Sequence, residues 1–231
     1  MEIIHEEKDY MVVHKEAFLA TQTARLGEMD LYSKVKNYLS EKYHEKEPYL
    51  AVINRLDQPV EGLVLFARNN TAASSLSSQL QSGKIEKHYL AVVYGMLPDS
   101  QKELTDYIRK NTKTNLSQIA SIAMKDAKKA VLKYTKLKQS QEETLLTIQL
   151  YTGRHHQIRV QLSHLGYPLV GDLKYGSPES ITYSKKQGIK TIALCAYQLA
   201  FLHPVTGQRI EYEIKPEQSE IQKLLQGEDG E

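Results

Sequence analysis

The chain has 231 residues, of which 41% are hydrophobic and 25% are charged. This composition excludes a disordered or fibrous protein and is sufficient for one large domain or two modest ones. The formal net charge is only +2, so total charge alone does not indicate a polyanionic partner.

The number of cysteines and the N-terminal sequence indicate the cellular compartment of the protein. Cys195 is the only cysteine, which excludes a disulfide framework and a multi-cysteine zinc site and fits a reducing compartment. The opening sequence MEIIHEEKDY is acidic and lacks the apolar segment of a signal peptide. No apolar run is long enough to span a membrane. We therefore expect a cytoplasmic protein with no membrane association.

The first half of the chain alternates strands and helices. Residues 10–15 predict a strand, and residues 30–43 predict an amphipathic helix with Leu31, Val35, Tyr38 and Leu39 on one face. Two short apolar runs, 50–53 and 62–67, are typical of buried strands. Residues 70–81 predict a second helix that ends near Gly83.

The second half is mostly strands. Strand patterns cover residues 86–97, 130–137, 144–150, 191–202 and 210–214. Helical spacing returns at 155–165, with Ile158, Leu162 and Leu165 facing inward. No repeat or long linker divides the chain. We predict an α+β fold with a mixed, mostly antiparallel sheet and flanking helices, as one domain over residues 1–231.

An Arg-Leu-Asp triplet, residues 55–57, interrupts the two apolar runs between 50 and 67. Pro59 and Gly62 mark the insertion as a turn, so Asp57 is expected on a connection held by two rigid strands. Catalytic side chains are common in such places. A turn carboxylate that only caps backbone N–H groups is the competing interpretation.

The segment YTGRHHQIRVQLSHLGYPLVGDLKYG, residues 151–176, places polar residues at a strand end and a helix start. Gly153 permits a tight turn, and Arg154 and His156 follow near a helix N-terminus, where anions are favoured. A buried Arg154 needs a negative partner, for which Asp57 is a candidate. We do not expect the pair His155 and His156 to bind a metal, because successive helical residues point in different directions. His156 can line a groove or be a satisfied structural histidine.

Charge is unevenly distributed. Ten Lys or Arg residues lie between Lys102 and Lys138 against three acids, and six acids lie between Glu213 and Glu231 against two lysines. This asymmetry favours a basic surface for phosphates and an acidic, solvated tail, although lysine-rich strands are often only solvated edges.

Together, three motifs resemble the RluA-type pseudouridine synthases. They are Arg55-Leu56-Asp57 with Gly62-Leu63-Val64-Leu65-Phe66-Ala67, then Lys87-His88-Tyr89, then Thr152-Gly153-Arg154 with His156-Gln157-Ile158-Arg159, continuing into Gly171-Asp172 and Tyr175-Gly176. Asn54, Val60 and Glu61 depart from the family's usual His, Thr and Ser. Many members also carry an S4-like domain before the catalytic domain, and we expect none here.

The resemblance implies an isomerase that converts uridine in rRNA or tRNA to pseudouridine, with a central RNA-binding cleft, no cofactor and no metal. It implies that Asp57 acts on the ribose and that Arg154, placed beside it, keeps the carboxylate ionised. Tyr89, by default a packing residue of its strand, would stack on the extruded base. The expected RNA-binding residues are Arg55, Ile158, Arg159, His156, Lys87, Lys128 and Lys129.

Two other functions remain open at this level. A noncatalytic RNA-binding paralogue would keep the basic surface and lose turnover, and a nucleoside hydrolase would release free uracil and ignore RNA. We expect a monomer with no obligatory protein partner, because no broad exposed apolar stripe is evident.

Overall fold

The computed structural model describes residues 1–23 and 27–226. Within them the strands are β1 (Glu2–Glu6), β2 (Tyr10–Lys15), β3 (Ala51–Val52), β4 (Glu61–Ala67), β5 (Glu86–Tyr94), β6 (Gln101–Asn111), β7 (Leu116–Ile119), β8 (Lys128–Gln139), β9 (Glu143–Leu150), β10 (Leu194–Leu202) and β11 (Arg209–Glu213). The helices are α1 (Leu31–Tyr43), α2 (Asn70–Gln81), α3 (Gln157–His164), α4 (Pro178–Lys186) and α5 (Ser219–Gln226). No helix in this part of the chain is long and apolar enough to cross a bilayer.

The described residues divide into two compact units. The first comprises Met1–Glu86 and Ala196–Lys215, and the second comprises Lys87–Cys195 and the segment beginning at Pro216. The expectation of one domain over residues 1–231 stays a prediction. The α+β class with mostly antiparallel strand pairing is confirmed.

The sheet of the first unit is built around two fully buried strands. β2 pairs antiparallel with both β1 and β4, β3 also pairs with β4, and β11 pairs with β10. Every residue of β2 and β4 is buried, which explains why each contains a continuous apolar stretch, residues 10–13 and 63–67, instead of an alternating pattern. The cluster that packs one face of this sheet against α2 contains Tyr10, Val12, Leu63, Leu65, Ala72, Leu76, Leu199 and Phe201.

The sheet of the second unit is antiparallel throughout, in the order β5-β9-β8-β6-β7. β8 alternates, with Ala130, Leu132 and Tyr134 buried between more exposed neighbours. Val160 of α3 packs on Ala130 and on Ile108 of β6. This contact fixes the start of α3, and therefore Arg154, relative to the sheet.

Several boundaries follow the sequence closely. The strand 10–15 and the helix 70–81 match residue for residue, and Asp30 is the N-cap of α1 with its carboxylate accepting from Ser33 N. The third predicted helix is shorter than expected, because His156 has a left-handed backbone (φ 55°) and cannot extend α3. Likewise β5 stops at Tyr94, before Gly95 with φ 101°.

Other strands and helices of the structure are not indicated by the sequence patterns. They are β1, β6, β7, α4 and α5. Charged residues interrupt the apolar period in four of them, and β7 has only four residues. The acidic tail is not uniformly solvated, because Ile221 of α5 is fully buried. The remainder of that tail, residues 227–231, lies outside the described residues.

Gly62 supplies a first prediction. Its φ is 135°, and an added Cβ would lie 2.5 Å from Ala196 O and 2.6 Å from Ala196 N. Because the obstructing atoms are the backbone and the Cβ of Ala196, none of which can rotate away, Gly62→Ala is expected to lower the free energy of unfolding by about 2–4 kcal/mol in urea titrations. Gly207→Ala is the matched control, with φ 72° and nothing within 4 Å of the added carbon. Equal effects of the two substitutions would contradict a steric role for Gly62.

Candidate active site

Asp57 lies in a tight turn between β3 and β4. Val60 N donates to Asp57 O at 3.0 Å, which closes the turn and confirms its prediction from Pro59. Arg55 is exposed, Leu56 is buried and Asp57 is half-buried. The apolar residue of the triplet therefore anchors the connection, while the two charged residues on either side of it retain access to solvent.

Polar side chains beneath the turn replace the backbone pairing that the strands lose there. The Thr21 hydroxyl donates to Leu56 O at 3.0 Å and accepts from Leu56 N at 3.1 Å. Asn54 Nδ2 donates to Leu63 O at 3.1 Å, and its Oδ1 accepts from Leu65 N at 2.7 Å. Asn54 is buried, so its side chain extends the ladder between β3 and β4 beyond Ile53.

A buried lysine also supports the turn. Lys15 is 0% exposed, and its ammonium donates to Glu16 O at 2.9 Å, Leu19 O at 2.7 Å and Gln58 O at 3.2 Å. Burial lowers the Lys15 pKa to about 8, although the negative charges of Asp57, Glu61 and Glu16 oppose this shift. The Gln58 carbonyl directly follows Asp57 in the chain, so Lys15 acts on the residue next to the carboxylate.

The second unit holds Tyr89, Lys87, Arg154 and Ile158. Tyr89 lies within β5, opposite Ile148, and is 6% exposed. Lys87 is two residues earlier and thus on the same face of the strand. An added Cβ at Gly153 would lie 3.7 Å from Lys87 Nζ. Burial, and then the positive charge of Arg154, lower the Lys87 pKa below its usual value, so the structure brings these two cations together.

Arg154 is held by a turn that Gln157 closes. The Gln157 Oε1 accepts from Arg154 N at 3.0 Å and from the Thr152 hydroxyl at 2.8 Å. Gln157 is itself buried and donates to Gln161, which in turn donates to Asp106 at 2.7 Å. The Arg154 side chain leaves this turn and its Nε donates to Lys129 O at 2.8 Å. Its pairing with Asp57 stays a prediction.

The two histidines are engaged within the second unit. Their rings stack at 3.7 Å, His155 Nδ1 lies 2.8 Å from the Ser117 hydroxyl, and His156 Nδ1 lies 2.7 Å from the Tyr175 hydroxyl. His156 is 8% exposed. Of its two interpretations, the structure therefore favours a satisfied histidine over one that lines a groove.

Arg159 forms a buried ion pair. Its Nε donates to Asp172 Oδ2 at 2.7 Å and its Nη2 to Oδ1 at 2.8 Å, with side chains 4% and 0% exposed. The guanidinium also covers the Tyr175 ring, 5.0 Å from its centroid. Asp172 Oδ1 further accepts from Lys174 N and Tyr175 N. The guanidinium is thus held inside the second unit, and the binding of RNA by Arg159 stays a prediction.

The basic residues gather at one end of β6, β7 and β8. Strand register places Ile108 opposite Lys128 and Arg109 opposite Gln118, which brings the β6 end next to the β8 start. We call this region the basic end. Its exposed members are Arg109, Lys110, Lys113, Lys125, Lys128 and Lys129. Three other cations of the segment already have partners. Lys102 forms an ion pair with Asp99, and Lys136 and Lys138 each donate a hydrogen bond to a backbone carbonyl oxygen.

Comparison with known proteins agrees with these motifs. The family model described as RNA pseudouridylate synthase matches residues 9–164, more than half of the chain and both units. The chain belongs to the RNA pseudouridylate synthase family. The resemblance to RluA-type members is thereby confirmed.

Two curated bacterial relatives illustrate the relationship. The uncharacterized RNA pseudouridine synthase YlyB of Bacillus subtilis is 35% identical over 162 residues, which are 70% of this chain and 50% of that protein. The ribosomal large subunit pseudouridine synthase D of Vibrio parahaemolyticus is 31% identical over 92% of this chain and 66% of that protein. This chain thus spans half to about two thirds of the length of these relatives.

A solved structure supports the fold. Human RNA pseudouridylate synthase domain containing 4 superposes with a TM-score of 0.75, covering 94% of this chain and 89% of the human one. Its sequence identity is 22%, so the likeness establishes the pseudouridine synthase fold and nothing finer.

Lys15, Thr21 and Gln157 hold the candidate residues in place, and the motifs give none of them this role. For Lys15 the sequence does carry a signal. A lysine at the end of the predicted strand 10–15 indicates buried partners for its ammonium, because a charged side chain is rarely buried without them. Gln157 belongs to the third motif, but its residue type does not indicate a role in a turn. The turn at Gly153 is predicted from the sequence, but the contacts of the Gln157 side chain with Thr152 and Arg154 are visible only in the structure.

The Arg159–Asp172 pair yields a second prediction. Asp172→Ala leaves a buried guanidinium without its carboxylate, so the free energy of unfolding should fall by about 3–5 kcal/mol. Asp99→Ala breaks a pair whose side chains are both 46% exposed and should cost less than about 1 kcal/mol. Chemical denaturation of the two variants measures both values. A small loss for Asp172→Ala would show that the pair does not support the fold.

Proposed function

We propose that this pseudouridylate synthase isomerises specific uridines of rRNA or tRNA to pseudouridine. The observation that carries the proposal is the half-buried Asp57 carboxylate on a turn anchored in two strands, in a chain of this family. The exposed basic end, adjoining Arg154 through Lys129, supports an RNA substrate over a free nucleoside.

The reaction is a redox-neutral rearrangement. The C1′–N1 bond breaks, the uracil turns while still bound, and C1′ bonds to C5. The C5 proton leaves and N1 ends with a proton, so atoms and electrons balance without an oxidant or a water molecule. Hydrolysis of a glycosidic bond, by contrast, typically uses two carboxyl groups, one to protonate the leaving group and one to activate water or attack the sugar. A single carboxylate acting on the ribose is therefore compatible with this chemistry.

Each unit has its own proposed contribution. In the first unit, Asp57 supplies the carboxylate that acts on the ribose, and the exposed Arg55 occupies the space that the extruded base leaves. In the second unit, Tyr89 stacks on the base, Arg154 offers a guanidinium to anionic groups, and Ile158 excludes water. Extrusion of a stacked base costs a few kcal/mol, which phosphate contacts elsewhere must offset.

The basic end is proposed to follow the RNA backbone. Lysine and arginine contacts to phosphates give affinity and orientation but carry no base sequence. Lys87 adds a positive charge near Arg154. We propose that the protein acts as a monomer in the cytoplasm.

The role of Asp57 can be tested directly. Pseudouridine is first mapped across ribosomal and transfer RNA from cells with and without the gene, and purified protein is then added to the deficient RNA. The wild-type protein should restore the missing sites. Asp57→Asn should bind the same RNA within about twofold and form less than about a thousandth of the product, because the ionised carboxylate is lost.

Asp99→Asn removes a similar charge at an exposed position and serves as the control. Product formation by Asp57→Asn at near wild-type rate would refute the assigned role. Free uracil released from uridine, with no change in RNA, would instead support a nucleoside hydrolase.

The basic end has its own test. Replacing Lys128 and Lys129 with Ala should weaken RNA binding and reduce the slope of log K against log salt by about 1–2, since each phosphate contact contributes about one unit. Lys185 and Lys186 are exposed on α4, outside the basic end, so the corresponding double variant is the matched control. Equal slopes for both double variants would contradict phosphate tracking by the basic end.

A further inference from the structure

Two buried glutamine side chains of α3 connect the Arg154 turn to β6. Gln157 is 3% exposed and Gln161 is 1% exposed. Gln157 Nε2 donates to Gln161 Oε1 at 3.0 Å, and Gln161 Nε2 donates to Asp106 Oδ2 at 2.7 Å. Because burying an amide is costly unless its donors and acceptors are bonded, these contacts hold both side chains in one orientation.

The direction of this chain of amides is fixed at both ends by groups that cannot exchange roles. At one end, the Arg154 backbone N–H can only donate, so the Gln157 atom that it meets at 3.0 Å must be Oε1. At the other end, the Gln161 amide faces Leu104 O at 3.4 Å and Ala130 O at 3.5 Å as well as the carboxylate, and all three can only accept. The two ends agree, and Gln161 is the residue that matches them.

We propose that Gln161 is a positioning residue for the isomerisation, because its buried amide sets the orientation of Gln157 and thereby holds the backbone from which the Arg154 guanidinium extends. This inference rests on the proposed function. A reversed Gln161 amide would turn its N–H groups toward those of Gln157. Gln157 would then have to turn as well, and it would lose the bond from Arg154 N. A misplacement of about 1 Å can reduce a reaction rate about 100-fold.

Packing alone does not require an amide at this position. An apolar side chain of similar length would fill the space of Gln161 without the cost of burying polar atoms. The amide lies where β6 and β8 pair, since the strand register places Asp106 opposite Ala130. The same two strands supply exposed cations to the basic end. The chain of amides therefore ties the position of Arg154 to the strands that are proposed to follow the RNA backbone.

The test measures kcat at saturating RNA, with the 231-residue protein and the RNA whose uridine the mapping identifies. Gln161→Glu keeps the shape of the side chain and its acceptor toward Gln157, but it places a second carboxyl group beside Asp106. At about pH 8.5, kcat should therefore fall about 10- to 100-fold. The RNA dissociation constant should stay within about threefold of the wild-type value, because the phosphate contacts of the basic end are unchanged.

Gln79→Glu is the matched control. Gln79 is a buried glutamine of α2 in the first unit, 8% exposed, and its amide donates to Leu202 O at 2.8 Å and accepts from Leu202 N at 2.9 Å. The substitution again removes a buried amide donor, so it should lower the urea midpoint as Gln161→Glu does. Its kcat should stay within about twofold of the wild-type value, since no bond to the Arg154 turn is affected.

The pH profile and a second substitution separate positioning from simple support of the fold. Of the groups that accept from Gln161 Nε2, Asp106 is the charged one. Two carboxyl groups in contact raise the pKa of one of them, so at low pH Gln161→Glu holds a proton that replaces the lost hydrogen bond. The ratio of its kcat to the wild-type kcat should rise at least about threefold from about pH 8.5 to about pH 5.5.

Asp106→Asn, added to Gln161→Glu, supplies an amide donor to the new carboxylate and removes the like charge. The double variant should return to within about threefold of the wild-type kcat at about pH 8.5, and its ratio should not change with pH. Asp106→Asn alone should also stay within about threefold, because its Oδ1 can accept from Gln161 in place of the carboxylate.

Several results would overturn the inference. A folded Gln161→Glu with wild-type kcat at both pH values would refute this inference alone and leave the proposed function standing, as would a folded double variant no faster than Gln161→Glu. If Gln161→Glu does not fold, Gln161→Met removes the amide without adding a charge, and the same loss of kcat is expected. The wild-type Arg154 N–H should exchange slowly with solvent, and rapid exchange would overturn the inference even if neither variant folded. If the wild-type protein forms no pseudouridine in any deficient RNA, the proposed function fails, and the inference fails with it.

Discussion

Buried polar groups must find partners inside the protein, and the turn that carries Asp57 is shaped by this requirement. Where β3 and β4 separate, their backbone groups lose the regular ladder. Thr21, Asn54 and Lys15 supply the missing donors and acceptors from below. The turn can therefore lie at the end of a fully buried strand and still present a half-exposed carboxylate.

The second unit obeys the same constraint with different residues. Gln157 closes the turn that carries Arg154, and the chain of amides continues through Gln161 to Asp106. Asp172 neutralises Arg159 and caps the turn that follows it. These side chains point into the second unit, and their donors and acceptors form hydrogen bonds there. Six exposed cations gather at the basic end, where a polyanion can reach them.

The hydrogen bonds and buried charges around the Asp57 turn explain what the residues that depart from the family pattern do in this chain. Asn54, Val60 and Glu61 are all buried, at 8%, 2% and 2% exposure. Asn54 bonds the backbone of β4, and Glu61 acts electrostatically on Lys15. The residues that differ are thus part of the support of the turn. Substitutions there can adjust the position of Asp57 without changing the carboxylate itself.

The sequence by itself determined the elements with clear periodicity, such as β2 and α2, together with the family and the candidate residues, because short motifs and apolar patterns are local. Tertiary structure alone decided which charges are free to act. Arg159 and Lys128 look alike in the sequence, yet one is enclosed by Asp172 and the other is exposed. Burial and pairing depend on residues distant in the chain, and no local pattern encodes them.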